Sequence, residues 1–588
     1  MHSRVTVSIV GLALVIACAQ TPSTDTSNSS EQVRLPTGAL LDPTGKSVPL
    51  GPLPLSLIPS PDGKHFVALL SGYRDNGVQV IDRGTGAVTE FRRQPAAFIG
   101  VAFSPDGKRL YASGGDDDAI YVYDWKEGSA NIADTIFLAK KSKSGKRYPA
   151  GIAVSSDGRL IYAAENLGDS LAVVDVASGR VTQRLATERY PYAVVVSPDG
   201  TVYVSAWGGT TVSVFSQSNG TLVPAGRIAV GRHPSALLLN RDGSRLYAAQ
   251  ATIDRIAVVD TKLKKPIAQL ADPSPSGPSE GSTPNALALS PDESRLFVAE
   301  ADNNAVAVFD LTSNNLLGRI LVEWYPAGVY ATRDSLFVAN AKGKGTAANP
   351  GGPNPLKGRG AARNYTLGQI SGTLSMIELP GMSDLAPLTA RVAHANGWDQ
   401  PKRPASYPPI EHVIYIIKEN RTYDQILGDL TQADGDTSLL FFPRSNTPNH
   451  HTLAERFGIF DRFFVNAEVS ADGHNWSTAA YASDYVEKTV PLNYGNGGRT
   501  YDYEGTNRDK VPDDDVASPG SGYLWDLAHK AGITYRNYGE FVDPLDFDKE
   551  GTKAPAYEAN KPNLVDHTNR KFPGYSLQVK DQVRADVW

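Results

Sequence analysis

A four-residue turn sequence recurs seven times within the first 334 positions of this 588-residue chain. Ser60-Pro61-Asp62-Gly63 is the first copy, and degenerate copies follow. The turn aspartates are at positions 62, 106, 157, 199, 242, 292 and 334, so successive copies are 42 to 51 residues apart. Proline presets φ within such a turn, and glycine tolerates a positive φ. A repeat of this length, made of short strands, predicts one propeller blade per copy.

Short apolar runs lie on both sides of each turn. Residues 98–103 precede the second turn and residues 109–113 follow it, and both runs have the composition of β-strands. We therefore predict an all-β seven-bladed propeller over residues 40–381. Residues 372–379 would form the third strand of the last blade, and a strand near residues 46–58 would pair with that blade. This pairing would close the ring and remove exposed sheet edges.

These repeats resemble the YVTN/YncE-like seven-bladed propellers, which are commonly binding platforms. The resemblance implies that the propeller holds a ligand or a partner in the cell envelope. His233 stands before a proline, where other repeats have Tyr190 or Tyr325, so we interpret it as structural. The repeats lack haem-ligand and cofactor motifs, which argues against a propeller oxidoreductase or lactonase.

The N-terminus is typical of an export signal. A short basic start precedes a largely apolar run at residues 5–16, which is too short to cross a membrane as a stable helix. Cys18, the only cysteine, follows at a position that resembles a bacterial lipobox. The resemblance implies a signal peptide at residues 1–17, lipidation of Cys18 and a membrane-anchored periplasmic or extracellular protein. The alternative is an ordinary secretory signal with an incidental cysteine.

Two further expectations come from composition. Residues 18–39 begin with a stretch rich in Ser, Thr, Asn and Gln and are predicted to be a flexible tether. Ala19 stands where an aspartate would indicate retention in the inner membrane, so the outer membrane is one expected location. The formal net charge of -6 argues against a nucleic-acid partner.

The composition changes after residue 381. Residues 382–410 contain five prolines and are interpreted as a linker. Residues 413–417 are continuously apolar and mostly β-branched, which predicts a strand buried on both faces of a parallel sheet. Glu419 and Asn420 follow where this strand would end, and sites in open α/β sheets form at that edge. Carboxylate and amide oxygens there are suitable ligands for a divalent cation, although a capped loop start is the simpler alternative.

Later motifs strengthen the functional interpretation. They are Asn449-His450-His451, the run from Glu455 to Phe464, and Glu468-Val469-Ser470-Ala471-Asp472-Gly473-His474-Asn475. Together with Glu419 and Asn420 they resemble the phosphoesterase family of bacterial phospholipases C and acid phosphatases, within the alkaline phosphatase superfamily. The whole chain resembles bifunctional proteins that join a YncE-like propeller to an alkaline-phosphatase-like domain. Residues 411–588 are therefore predicted to be the N-terminal part of such an α/β domain.

The resemblance implies a mechanism and its residues. Glu419 and Asn420 match the family's first metal ligands, for a divalent ion such as Zn, Mn, Ca or Mg. A serine or threonine at a helix start attacks phosphorus in this family and gives a phospho-enzyme, and Ser470 is the candidate nucleophile here. The family's threonine position falls at or near Asp472, which is the second catalytic candidate. Asn475 and His474 are candidates for binding the phosphate ester, and His474 has a structural role as its alternative.

The sequence also departs from the family. The superfamily takes further Asp and His metal ligands from late strands, and the chain reaches Trp588 without such a cluster. We therefore expect an incomplete domain. Two hypotheses stay open: an exported, lipid-anchored, metal-dependent phosphoesterase with a propeller platform, or an inactive cell-envelope protein that binds through its propeller.

Overall fold

Seven four-stranded antiparallel sheets follow one another from residue 46 to residue 378. The computed structural model describes residues 33–140, 145–274, 281–345, 365–401, 406–496, 508, 516–544, 556–576 and 578–588. The innermost strand of each sheet contacts that of the next sheet, and the seventh contacts the first. The predicted seven-bladed propeller is therefore confirmed.

Each blade has its strands in chain order from the channel outwards, except the last. Blades 1 to 3 are Pro54–Pro59, His65–Ser71, Asn76–Asp82 and Val88–Gln94; Val101–Phe103, Arg109–Ser113, Ala119–Lys126 and Ser129–Phe137; and Pro149–Val154, Leu160–Glu165, Ser170–Asp175 and Arg180–Ala186. Blades 4 to 6 are Pro191–Val196, Val202–Ala206, Thr211–Ser218 and Thr221–Ala229; Pro234–Leu239, Arg245–Gln250, Arg255–Asp260 and Lys265–Ala271; and Pro284–Leu289, Arg295–Glu300, Ala305–Asp310 and Asn315–Leu321.

Blade 7 closes the ring with a strand from the start of the propeller. Trp324–Ala331, Ser335–Gly343 and Thr373–Glu378 form its first three strands, and Lys46–Pro49 pairs with the third. Both the last third strand and the closing strand were expected from the sequence. A second short pairing, Val33–Arg34 with Leu40–Leu41, lies just before the closing strand.

The repeated turn has the same hydrogen bond in several copies. The Ser60 hydroxyl donates to the Asp62 carboxylate at 2.5 Å, and the Ser104 and Ser155 hydroxyls make the same bond at 2.6 Å. The glycine that follows has a positive φ, as at Gly63 (φ 66°). The turn chemistry that marked the repeat in the sequence is thus the chemistry that forms it.

A second repeated feature joins neighbouring blades. Six inner strands start at an X-Pro pair whose first residue has φ between 50° and 61°: Leu53, Tyr148, Tyr190, His233, Thr283 and Tyr325. At four of these positions the main-chain N–H donates to an Asp or Asn side chain of the preceding blade. The four pairs are Tyr148 with Asp118, Tyr190 with Asp169, Thr283 with Asp254, and Tyr325 with Asn304. His233 is buried in this series, and its Nδ1 lies 2.8 Å from the Thr252 hydroxyl, in line with a structural role.

The chain after the propeller is mainly helical. Its helices are α1 (Leu385–Ala395), α2 (Tyr423–Leu427), α3 (Pro448–Phe457), α4 (Ser470–Ala479), α5 (Asp484–Asn496), α6 (Leu524–Lys530) and α7 (Asp581–Val587). Helix α1 lies within the segment interpreted as a linker, and its Thr389 hydroxyl accepts from the Arg319 N–H of blade 6 at 2.8 Å. Among the described residues, no helix is both long and apolar enough to cross a membrane. The signal sequence and Cys18 lie outside the described residues.

The predicted α/β sheet is not confirmed. Residues 413–417 form no strand, and Val413 is 80% exposed. The β-branched and aromatic residues at 533–539 also predict a strand, but among the described residues this segment contributes only an isolated bridge from Asn537 to Thr568. The described strands after residue 381 are Val542–Pro544 and Tyr557–Ala559, which pair with each other. An apolar run is buried on both faces only when it pairs into a sheet and other elements cover that sheet, and no described strand pairs with residues 413–417.

The sequence also predicts one helix over residues 475–488, whereas the structure has two helices in this region. Helix α4 begins at Ser470 and ends before Ala480, which has φ 55°. Residues 481–483 follow, and α5 begins at Asp484. The left-handed residue turns the chain, so that α5 takes a new direction instead of continuing α4.

We expect Asp118→Ala to destabilise the propeller. The Asp118 carboxylate accepts the main-chain N–H groups of Arg147 and Tyr148, both at 2.8 Å, and its removal leaves these buried donors unpaired. The loss should be about 1–3 kcal/mol in the free energy of unfolding, measured by denaturant titration. Asp118→Asn keeps an acceptor oxygen and is the matched control. Equal losses in both variants would contradict this role for the hydrogen bonds.

Candidate functional site

Helix α5 covers one end of the propeller's central channel. Residues 481–492 are all buried. Their apolar members Ala482, Tyr485, Val486, Val490 and Leu492 belong to one cluster with residues at the starts of the inner strands: Leu53, Leu55, Phe98, Tyr148, Ala150, Tyr190, Tyr192, Tyr325 and Ala327. These residues come from five blades, so the helix lies over the channel where the inner strands begin. The propeller is a platform, and it holds a segment of its own chain.

Aromatic rings make the centre of this contact. The Tyr485 ring packs edge-on against Tyr190 and against Trp207, with both centroid distances 5.3 Å. The Trp207 ring also packs against the Tyr192 ring, with the two ring centroids 4.1 Å apart. Tyr485 is 1% exposed. Such ring pairs add to the stabilisation from burial itself.

Charged side chains fix the orientation of α5. Its Lys488 ammonium donates to the Tyr192 hydroxyl and to Asp484, both at 2.9 Å. Asp484 also accepts from the Tyr325 hydroxyl at 2.8 Å and from the Asn285 amide at 3.3 Å. These groups are buried, and each hydrogen bond offsets the free-energy cost of burying a polar group away from water.

A second buried lysine connects blade 7 to both α4 and α5. The Lys342 ammonium donates to Glu468, just before α4, at 2.9 Å and also to Glu487 of α5. Burial lowers the pKa of Lys342, but these two carboxylates outweigh it and raise the pKa above its ordinary value. The three side chains are at most 8% exposed, so this ion cluster is part of the interior.

Asp472, one of the two predicted catalytic residues, faces this cluster. Its carboxyl group accepts the main-chain N–H groups of Glu468 at 2.8 Å and Val469 at 3.1 Å. It is 1% exposed. Burial and then the negative charge of Glu468 raise the pKa of Asp472 well above its ordinary value. The structure thus places Asp472 in the contact with the propeller.

Asn475, predicted to bind phosphate, holds α4 against α6. Its amide donates to the Ala471 carbonyl at 2.9 Å, and its oxygen accepts from the Tyr523 hydroxyl at 3.0 Å. Tyr523 immediately precedes α6 and stacks on the Trp525 ring at 4.6 Å. Asn475 is 1% exposed, so these two bonds fill a structural role on this face of α4.

Ser470 and His474 share a third face of α4. Ser470 is the first residue of the helix, and His474 follows one turn later. Residues separated by four positions are neighbours on a helix surface, with Cβ atoms about 5–6 Å apart. Both are partly buried. The first-turn N–H groups beside Ser470 lack intrahelical acceptors and favour an anion nearby.

His474 lies between two glutamates that are distant in sequence. Its Nε2 is 3.0 Å from Glu419 Oε2, and its Nδ1 is 2.8 Å from Glu540 Oε1. Two ionised carboxylates can only accept hydrogen bonds, so this arrangement favours the form of the ring that has a proton on each nitrogen. The hydrogen bond from His474 lowers the pKa of Glu419, although burial opposes this. The structure thus brings together the predicted residues Glu419 and His474 and adds Glu540.

Glu540 was missed by the sequence analysis, although a signal was present. It follows residues 533–539, whose β-branched and aromatic residues also predict a strand, and Glu419 likewise comes two residues after residues 413–417. A carboxylate near the end of a predicted strand is the pattern common to both. Its N–H donates to Asn537 Oδ1 at 3.1 Å, which fixes the turn that carries it.

The predicted metal ligands do not complete a metal site. Glu419 has carboxylate oxygens that suit a cation, but both nitrogens of His474 contact carboxylates, and the Asn420 amide donates to Glu419 at 2.8 Å. No group of three His, Cys, Asp or Glu residues among those described could hold a metal ion. Asn420 has φ 67°, an uncommon conformation that recurs at functional sites. The donor set is chemically suitable but too small to hold an ion by itself.

A cavity of about 190 Å³ separates blades 6 and 7 from α4 and α5. It is lined by, among others, Asp302, Trp324, Lys342, Trp476, Ala480 and Glu487. Asp302 Oδ2 accepts from the Thr283 hydroxyl at 2.5 Å, and that hydroxyl is 2.9 Å from the Tyr481 hydroxyl. The cavity therefore has polar groups on both sides of the contact between the propeller and the helices.

Comparison with known proteins supports the propeller. The family model described as "Lactonase, 7-bladed beta-propeller" matches residues 100–219 and 202–323. The repeats are similar to this family. The match covers blades 2 to 6 and concerns their fold, whereas lactonase activity is a hypothesis that the sequence argued against. No curated protein matches the chain.

Solved propeller structures show weaker similarity. Hydrazine synthase from Kuenenia stuttgartiensis is 19% identical with a TM-score of 0.40, over 50% of this chain and 93% of that chain. Virginiamycin B lyase from Staphylococcus aureus is 15% identical with a TM-score of 0.41, over 56% and 99%. Neither similarity bears on the function of this chain.

We expect Asp302 to make stability depend on pH. Burial raises the pKa of Asp302 from an ordinary value near 3.8 to about 8. The folded chain therefore keeps a proton that the unfolded chain loses, so this group makes stability fall as pH rises from about 4 to about 8. Melting temperatures from circular dichroism at pH 5 and pH 9 should differ less in Asp302→Asn than in the parent.

The control for this experiment is Asp310→Asn. Asp310 lies in the same blade, and hydrogen bonds from Ser313 lower its pKa below the ordinary value. Its loss should change the pH dependence of stability only at acidic pH, because the folded and unfolded states are both ionised above about pH 4 and any change in stability is constant there. An Asp302→Asn curve parallel to the parent curve between pH 5 and pH 9 would show that Asp302 is ionised throughout.

Proposed function

We propose that the chain hydrolyses phosphate esters with Ser470 as the nucleophile. The observation that carries this proposal is the contact of His474 with Glu419. These residues are far apart in sequence, and Glu419 was predicted as a metal ligand and His474 as a residue that binds the phosphate ester. Their pairing one helical turn from Ser470 gathers a hydroxyl, a cationic imidazole and free helix N–H groups on one side of α4.

Each group has a defined role in this proposal. The Ser470 oxygen attacks phosphorus, the bond from phosphorus to the leaving oxygen breaks, and the alcohol departs with the serine proton. Water then hydrolyses the phosphoserine, which releases inorganic phosphate from a monoester and a phosphate monoester from a diester. The first-turn N–H groups of α4 and the cationic His474 stabilise the charge on the phosphoryl oxygens. Glu419 and Glu540 keep His474 protonated and oriented, one on each ring nitrogen. Asp472 and Asn475 act from the two other faces of the helix as positioning residues.

The remaining sequence-based predictions belong to the same proposal. They are export, lipidation at Cys18 and attachment to the cell envelope, with a second envelope ligand on the propeller. Because α5 covers one end of the channel, that ligand would use another surface of the propeller. Dependence on a divalent metal ion stays a prediction, and no step above passes through a metal.

The nucleophile is tested with Ser470→Ala and its matched control Ser477→Ala. Ser477 lies on the same helix, and its hydroxyl donates to the Gly473 carbonyl at 2.9 Å. Hydrolysis of p-nitrophenyl phosphate and of bis(p-nitrophenyl) phosphate should fall at least ~100-fold in Ser470→Ala and change little in Ser477→Ala. Assays with EDTA or with added Mn²⁺ or Zn²⁺ test the metal prediction separately.

The phospho-enzyme gives an independent readout. Acid quenching during turnover followed by mass spectrometry should place a phosphate on Ser470. Activity that survives Ser470→Ala, or that is lost equally in Ser477→Ala, would contradict the proposed nucleophile. Glu540→Gln should lower kcat more than it raises KM, because His474 would lose one of the partners that hold its proton.

A binding protein without catalysis is the second candidate. Two observations favour it: residues 413–417 are exposed instead of being buried in a sheet, and the described residues form no three-ligand metal cluster. This candidate predicts no turnover of either ester in the presence of Mn²⁺ or Zn²⁺. It also predicts no bound metal after dialysis, measured by plasma mass spectrometry.

A further inference from the structure

The cavity between the propeller and α4–α5 is separate from the face of α4 that carries Ser470 and His474. Its lining comes from both parts of the chain, with Trp324 and Lys342 on the propeller and Trp476 and Glu487 on the helices. Its volume of about 190 Å³ is smaller than the ~300 Å³ at which sites for drug-sized molecules begin. The cavity therefore has room for a ligand that consists of one small ring or of a short polar chain.

The walls combine aromatic surfaces with hydrogen-bonding groups. Trp324, Tyr325, Trp476 and Tyr481 supply flat apolar surfaces, and Asp302, Asn466 and Glu487 supply polar atoms. Flat aromatic surfaces with a few fixed polar groups orient ligands that have both C–H faces and hydroxyl groups. This composition is more polar than a site for a purely apolar molecule.

The charges in the cavity argue against an ionic ligand. Lys342 is the cation in the lining, and both Glu468 and Glu487 already accept its hydrogen bonds. No net positive charge is left to attract a phosphate or carboxylate group. A cationic ligand would be repelled by the Lys342 ammonium. This ammonium lies 4.9 Å from the centre of the Trp324 ring, so it already occupies the position in which a cation would interact with that ring.

We propose that this cavity binds a neutral monosaccharide or a polyol of similar size. Its ring or carbon chain packs on the aromatic walls, and its hydroxyl groups bond to Asp302, Asn466 and Glu487. Because the ligand touches the propeller and the helices together, its binding strengthens their contact. This site is independent of ester hydrolysis at Ser470.

The proposal is tested by calorimetry and saturation-transfer NMR on the full chain. The probes are glucose, galactose, N-acetylglucosamine and glycerol, with glucose 6-phosphate and choline as charged comparisons. At least one neutral probe should bind with a millimolar Kd, and it should bind at least ~10-fold more tightly than either charged probe. The same probe should raise the melting temperature, because it binds only the folded chain.

Two variants locate the site. Ala480 is an exposed residue at the edge of the cavity, so Ala480→Trp fills the cavity without removing a buried side chain, and it should weaken binding at least ~10-fold. Ala585→Trp, at an exposed alanine of α7, is the matched control and should bind as the parent does. Asn466→Ala removes one hydrogen-bonding group and should weaken binding several-fold, which keeps the test valid if Ala480→Trp folds poorly.

Three results would overturn the proposal. They are no neutral probe bound below about 100 mM, a charged probe bound more tightly than every neutral one, or parental affinity in both Ala480→Trp and Asn466→Ala. The Ser470→Ala variant should bind the neutral probe with the same affinity as the parent. Failure of the esterase proposal would therefore leave sugar binding intact, and the two results are distinguishable.

Discussion

Side-chain hydrogen bonds from one blade to the main chain of the next hold the propeller in register. Each blade is a separate sheet, so strand pairing does not connect neighbours. At four junctions an Asp or Asn of one blade accepts the N–H of the left-handed residue that begins the next inner strand, as Asp118 does from Tyr148. The same conformation directs side chains such as Tyr190 and Tyr325 towards a common cluster at one end of the channel.

That cluster gives the helical part of the chain its main attachment. Tyr485 packs among the aromatic residues, and two buried lysines, Lys342 from the propeller and Lys488 from α5, connect the two parts. Buried ions are unfavourable unless they are paired in one geometry. Their pairing therefore selects a single position of α5 on the propeller, which packing of apolar rings alone would leave free to shift.

The geometry of the candidate site follows from this attachment. Helix α4 is held through Asp472 on the side of the propeller and through Asn475 on the side of α6. Its remaining face carries Ser470 and His474, where Glu419 and Glu540 approach from distant segments. The propeller thus helps to position α4, although none of these site residues belongs to the propeller. It also supplies one wall of the separate aromatic cavity.

The sequence by itself determined the propeller, because turn chemistry and strand patterns act over a few residues. It predicted the blade number and the closing strand, and it singled out Glu419 and His474, which contact each other in the structure. It was wrong about residues 413–417, since burial of an apolar run depends on partners that a pattern does not show. Tertiary structure alone decided the pairing of Glu540 with His474 and of Lys342 with Glu468, because these contacts join residues far apart in the chain.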